Sequence, residues 1–160
     1  MKRLRGLWPF ALIALAVLVW NYPVYAVSGS IESASGGKVR VLSSHGSVWA
    51  GQMQLGLSDG ARVYAIPEAL AWHLRLGGDA SWLGIEITHP KFVQPLHLGF
   101  TGAGITVSGG ELRMPAAWLG ATGAPFNTIR PEGLLQLSWL EWQSGKSINA
   151  TLKWLDAQSA

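Results

Sequence analysis

The residues able to do chemistry are few and scattered. General acid–base catalysis needs two carboxylates, or a carboxylate and a histidine, held across one substrate. The nine carboxylates are Glu32, Asp59, Glu68, Asp79, Glu86, Glu111, Glu132, Glu141 and Asp156. No two stand at a spacing that places both on one face. Asp59 and Asp79 fall in turn sequences, which Asp favours for its own reasons. His45, His73, His89 and His97 could build a metal site only by distant convergence, because no local ligand spacing is present. His73 falls on the polar side of its strand and His89 precedes Pro90, so solvated or hydrogen-bonded histidines are expected. His45-Gly46-Ser47 lacks the flanking glycines of a nucleophile elbow. Gly99, Gly102 and Gly104 look like a phosphate loop at a glance. Val107 occupies the third glycine's place, however, and no helix N-terminus follows, so they read as a turn or bulge. Asn149-Ala150-Thr151 fits a glycosylation sequon but sits inside a strand pattern and carries no weight. There is no cysteine, which removes thiol catalysis and thiolate metal sites. The expectation is a protein without catalytic, cofactor-binding or metal residues.

The elements around these residues follow a period of two. Met53, Leu55 and Leu57 alternate with polar or small residues, and Asp59-Gly60 then marks a hairpin turn. Ala61–Ile66 returns and Pro67 stops it. Trp72, Leu74 and Leu76 alternate up to Gly77-Gly78-Asp79. Leu83, Ile85 and Ile87 follow, then Leu96, Leu98 and Phe100, then Ile105 and Val107 before Gly109-Gly110. Leu112 and Met114 come next, then Leu135, Leu137 and Trp139, and last a strand over Ser147–Leu155. Lys38–Ser43 is a first short strand. Alternating strands with regular turn signals predict an antiparallel, mainly β domain over residues 38–160, a curved sheet or sandwich with one buried face. Pro115–Leu119 reads as a short helix with Pro at its start and Gly120 at its end. Ser28–Gly37 reads as a Ser/Gly linker, and Gly123–Pro131 as a long loop.

The start of the chain differs from the rest. Lys2, Arg3 and Arg5 precede an uncharged run from Gly6 to Ile31. Leu7–Trp20 is apolar on every side of a helix, unlike a surface helix of a soluble domain. A bilayer core needs about 20 apolar residues, and Leu7–Val27 supplies them. Residues 1–27 are therefore expected as a basic cytoplasmic tip and a transmembrane anchor, with the rest delivered across a bacterial-type inner membrane. A cleaved signal peptide is the rival, with Val24-Tyr25-Ala26 as the cleavage site. Length favours the anchor. Trp8 and Trp20 near its two ends suit interfacial aromatic belts.

The sequence pI of 9.5 suggests a nucleic-acid partner, but the charge distribution removes it. Three of the twelve Lys and Arg lie within the first five residues, leaving nine against nine carboxylates. The exported part is neutral, with no basic stripe, so no nucleic-acid footprint is present. Seven of the nine Trp lie in the β region. They are expected to fill a small core.

The order of features resembles the type II secretion system protein N (general secretion pathway protein N) family. His45-Gly46-Ser47-Val48-Trp49-Ala50-Gly51 is similar to that family's Gly-Ser-x-Trp-x-Gly motif. A basic N-terminus and an anchor precede it, and a Trp-bearing strand, Leu70–Leu74, follows. Leu112-x-Met114-Pro115-Ala116-Ala117-Trp118-Leu119 resembles the family's strand running into Pro-Ala and a short helix. Gly123–Thr128, Pro131-x-Gly133 and Trp154-x-Asp156-Ala157 continue the order. Family members usually carry several further strands, so the chain is expected to be a C-terminally short variant. The resemblance implies a non-enzymatic, single-pass inner-membrane accessory subunit of the apparatus that exports folded proteins from the periplasm, with other inner-membrane subunits as partners. Its implied marker residues are Gly46, Ser47, Trp49, Gly51, Pro115 and Trp118, structural or interfacial and not catalytic. Trp49 is expected as a buried anchor. A membrane-tethered lipid-handling β protein is the alternative, to be favoured by an open apolar groove. Self-association through the last strand is a further expectation.

Overall fold

A computed structural model describes residues 8–78, 81–122, 128 and 131–159. The period-two segments become eleven strands among the described residues: β1 (Val39–Gly46), β2 (Ala50–Ser58), β3 (Val63–Ala65), β4 (Leu70–Leu76), β5 (Leu83–Thr88), β6 (Leu96–Thr101), β7 (Gly104–Val107), β8 (Gly110–Pro115), β9 (Pro131–Trp139), β10 (Trp142–Gln143) and β11 (Ala150–Ser159). The larger sheet runs β1-β2-β4-β5-β6-β7-β10, with β3 also on β2, and the smaller runs β11-β9-β8. Every pairing is antiparallel. The expected mainly β, antiparallel architecture is what the chain adopts.

Register sorts the side chains by face. Leu74, Ile85, Leu98 and Val107 are successive cross-strand partners, as are Leu76, Leu83, Phe100 and Ile105. The alternate rows hold His73, Glu86 and His97, and Arg75, Gly84, Gly99 and Thr106. One face of the large sheet is thus apolar and the other polar, as the alternation requires. Of the three glycines expected at a turn or bulge, Gly102 and Gly104 make the β6–β7 turn, whereas Gly99 is a regular strand residue, its Cβ position taken by the Thr106 hydroxyl. Gly99 pairs within β6, and Gly104 opens β7 with φ +120°.

Burial is divided between two places. Val24, Met53 and Trp72 form the central cluster, with Val27, Ile31, Leu55, Leu70 and Ile87 packed around it. Ala116, Leu135 and Pro131 are buried elsewhere. Further along the apolar face, Leu76 is 63% exposed and Trp82 62%. The accessible surface is 10910 Å², against about 7,800 Å² for a compact monomer of 17.2 kDa. The sheets form an open assembly with a partly uncovered apolar face. Of the seven tryptophans expected in the core, Trp72 alone is buried, while Trp82 and Trp154 are exposed. Their common device is different: the indole N–H of Trp49, Trp72, Trp139, Trp142 and Trp154 each donates to a backbone carbonyl.

The N-terminal region departs from expectation. Helix α1 covers Trp8–Trp20 and helix α2 covers Tyr25–Ala34. No helix among the described residues is long and apolar enough to cross a membrane. Thirteen residues span about 20 Å, against about 30 Å for a bilayer core. The single span over Leu7–Val27 is broken because Pro23 bridges to Ser47 and Val24 is buried in the domain; Leu7 lies outside the described residues. Ser28–Gly37 is not an irregular linker either. Val24, Val27 and Ile31 recur at helical spacing and pack on the sheet, and Gly36 and Gly37 at φ +63° and +77° stop the helix. The short helix expected at Pro115–Leu119 is a 3₁₀ helix over Ala116–Thr122, with Pro115 ending β8. Of the loop expected at Gly123–Pro131, only Thr128 and Pro131 are among the described residues, and Pro131 opens β9. The last strand begins and ends later than expected.

Candidate functional site

The marker residues Gly46, Ser47, Trp49 and Gly51 occupy the turn between β1 and β2. Gly46 sits at φ +96°, and a Cβ there would stand 2.5 Å from the Ala50 carbonyl oxygen. Both facts require glycine. A Cβ on Gly51 would meet the His45 oxygen at 2.5 Å and the Trp72 ring at 2.7 Å. Glycine therefore lets the turn close and lets the buried Trp72 ring approach the backbone at Gly51. The Trp72 indole donates to the Val48 carbonyl at 2.9 Å. Ser47 closes the turn by donating its backbone N–H to the Ala50 oxygen, at 2.9 Å.

This turn also grips the N-terminal region. The Val48 N–H donates to the Tyr22 carbonyl at 2.9 Å, and the Val24 N–H donates to the Gly46 carbonyl at 3.4 Å. The Trp49 ring stacks on Trp20 at 5.8 Å and 22°, and its Nε1–H donates to the Val19 carbonyl at 2.8 Å. Trp49 is partly buried rather than a core residue. Its function is to hold the last turn of α1. On the other side the Trp49 carbonyl accepts from the Leu74 N–H, at 2.6 Å. The motif is a joint: one hexapeptide binds the end of α1, the start of α2 and the middle of the large sheet.

Pro115 and Trp118 belong to a different place. Pro115 pairs with Leu134 at the end of β8, and Ala116 beside it is fully buried. Trp118 lines an apolar cavity between the two sheets, together with Leu55, Leu70, Phe92 and Leu112. The six marker residues therefore fall into two groups, one at the joint and one at the seam between sheets.

The titratable residues do converge more than their spacing suggested. His73 and His97 flank Glu86 in direct cross-strand register. Glu86 pairs with Arg75 at 3.3 Å and lies 3.6 Å from His97. Arg75, Glu86 and His97, without His73, line a trough of about 410 Å³ together with Gly84 and Gly99. The row is legible from alternation once the order of strands is known. It remains an exposed polar face. No group of three His, Asp or Glu among the described residues is arranged to hold a metal ion. Asp59 is held below the ordinary carboxylate range, mainly because the Arg62 and Ala61 backbone N–H groups donate to it. It shapes the β2–β3 turn. Asp79 lies outside the described residues.

No family model, no curated protein and no solved structure matches this chain.

Proposed function

We propose that the chain is a non-enzymatic accessory subunit of a type II secretion apparatus, held at the inner membrane through its N-terminal region with both β-sheets in the periplasm. The reading rests on the order of motifs along the chain, and on one observation above the others. The hexapeptide that resembles the family motif is the joint between the apolar N-terminal helix and the sheet. A motif with that position has a physical reason to be kept in a protein whose task is to couple a membrane segment to an external domain. Helix α1 supports the same reading. Its apolar side chains from Leu12 to Trp20 are exposed around the helix and, apart from the Trp20–Trp49 stack, are left to another medium. Trp20, Tyr22 and Tyr25 are exposed where α1 ends, which is where a headgroup layer favours such rings. The basic residues Lys2, Arg3 and Arg5 set the orientation. The test is deletion of the gene in a secreting strain. Folded exoproteins should accumulate in the periplasm while their passage across the inner membrane continues, and crosslinking from α1 should capture other inner-membrane subunits. Unchanged secretion with no captured subunit sinks the proposal.

A second reading, a membrane-tethered lipid-handling protein, is favoured by the apolar row of Leu76, Leu83, Phe100 and Ile105, whose ends Leu76 and Ile105 are exposed, as is Trp82 beside it. An open apolar sheet face can hold acyl chains. Mass spectrometry of organic extracts from the purified chain would decide it: stoichiometric phospholipid supports this reading, and a lipid-free protein removes it.

A further inference from the structure

The two ends of the large sheet differ in charge. At one end β1, β4, β6 and β10 begin and β2, β5 and β7 finish. The segments there carry Lys38, Asp59, Arg62, Glu68, Lys91 and Glu141. At the other end the turns at residues 46–50, 76–83, 101–104 and 144–146 carry two charged residues between them, Asp79 and Lys146. Asp79 lies outside the described residues. The margin of this second end is apolar. Leu76, Leu83, Phe100 and Ile105 form the outermost row that crosses β4 to β7. Leu76 and Ile105 are exposed, and so is Trp82, whose ring lies against Phe100 at 6.0 Å.

Helix α1 is tied to this same end. The Tyr22 carbonyl accepts the Val48 N–H, and Pro23 bridges to Ser47. Asn21 alone stands between Trp20, where α1 ends, and the bonded Tyr22. Trp49 holds Val19 and Trp20, and its carbonyl accepts the Leu74 N–H. Leu76 is two residues further along β4, about 7 Å past that level. The apolar margin is therefore held beside the end of the apolar helix, with no linker that could carry it away.

We infer that this margin is a second membrane contact, in which Leu76, Trp82 and Ile105 enter the interfacial layer of the bilayer that holds α1. The inference rests on the proposed placement of α1 in a membrane. Interfacial segments bury their apolar side chains by about 5–10 Å, to the boundary of headgroups and acyl chains. Trp82 suits that layer as Trp20 and Tyr22 do. Lys146, exposed at the same end, suits a lipid phosphate. Exposure by itself does not mark the site. Val63 and Tyr64 are exposed apolar residues too, but they stand at the charged end beside Asp59 and Arg62. A bilayer is the occupant because the sorting of charge and the attachment of α1 select the same end. Contact at both places holds the sheet in one orientation on the membrane.

The chain has no cysteine, so a single one can be introduced for a nitroxide label. Whole chains carrying Leu76→Cys, Ile105→Cys, Val63→Cys or Leu15→Cys are reconstituted in vesicles of phosphatidylethanolamine and phosphatidylglycerol. Collision of each label with oxygen, which concentrates in lipid, is compared with collision with a water-soluble nickel chelate. The labels at residues 76 and 105 should favour oxygen over the chelate, as the Leu15 label in α1 does, and the Val63 label should favour the chelate. A Leu15 label in lipid with both margin labels as open to the chelate as Val63 overturns this inference alone. A Leu15 label in water overturns the membrane reading and this inference with it. Dipolar broadening between margin labels that vanishes on dilution with unlabelled chain assigns the margin to a second copy and also overturns the inference.

Discussion

Trp49 and Trp72 differ in what they hold, although both are tryptophans whose indole N–H donates to a backbone carbonyl. Trp72 is buried in the central cluster, so Trp72→Ala should cost about 3–5 kcal/mol. Trp49 has one ring partner and one hydrogen bond. Its removal should cost about 1–3 kcal/mol, the sum of a stacked pair and a hydrogen bond. Thermal melts of the two variants check the order. A Trp49→Ala variant as unstable as Trp72→Ala would show that the ring is core after all. Asp59 gives a prediction in pH. Its folded pKa is depressed by the Arg62 and Ala61 N–H groups, so its contribution is present above the unfolded carboxylate value, about 3.9. The contribution is lost as pH falls through the lower folded value. The Ala61 and Arg62 amide resonances should therefore shift only below about pH 4. Asp59→Ala should remove that step, and a step persisting in the variant would assign it to another group.

At the scale of elements, α2 was hidden by its composition. Ser28, Gly29, Ser30 and Ser33 look like a linker, but Val27 and Ile31 put an apolar stripe through them. Ile31→Ala should lower stability by about 1–2 kcal/mol, less than the 2–5 of a fully buried site because Ile31 is only partly buried. The exposed neighbour Ser30→Ala should be neutral. Equal melting of the two variants would return the segment to the role of a linker. Strand β11 makes the opposite case. It pairs with β9 and, among the described residues, with no other strand. Leu152, Trp154 and Leu155 on it are exposed. An unpaired strand edge recruits strands, so the chain should associate with itself as concentration rises, and Leu152→Lys should weaken this. Sedimentation of both forms over a concentration series is the measurement, and a strictly monomeric unaltered chain counts against it.

Across the whole molecule, the strands were legible because burial of one face forces a period of two, and no other structure satisfies that pattern. The Asp59-Gly60 hairpin and the Gly102–Gly104 turn were legible for a similar local reason. The joint was only half legible. Its glycines announce close approach, but Trp49 reaches Val19 across thirty residues of sequence, and nothing local marks Trp20 as its partner. The tryptophans were misplaced because aromatic residues are ordinarily core, whereas an open sheet leaves their rings at its margins and uses their N–H groups as pins. The seam cavity could not be read at all. Glu68, Phe92, Leu112 and Trp118 meet only through the crossing of two sheets.

That sheet order also has a consequence for the time course of folding. In the large sheet β1 to β7 pair almost entirely with strands next to them in the chain, and β9 pairs with β8 before β11 arrives. Loop-closure costs are small for such neighbours, and topologies of this kind fold fast. A chain delivered N-terminus first meets, at each new strand, an edge already waiting. The last pairings, β10 on β7 and β11 on β9, close after their partners are complete. Chains interrupted after β7 should already hold the meander, with protected amides in β4 to β6, before the small sheet exists.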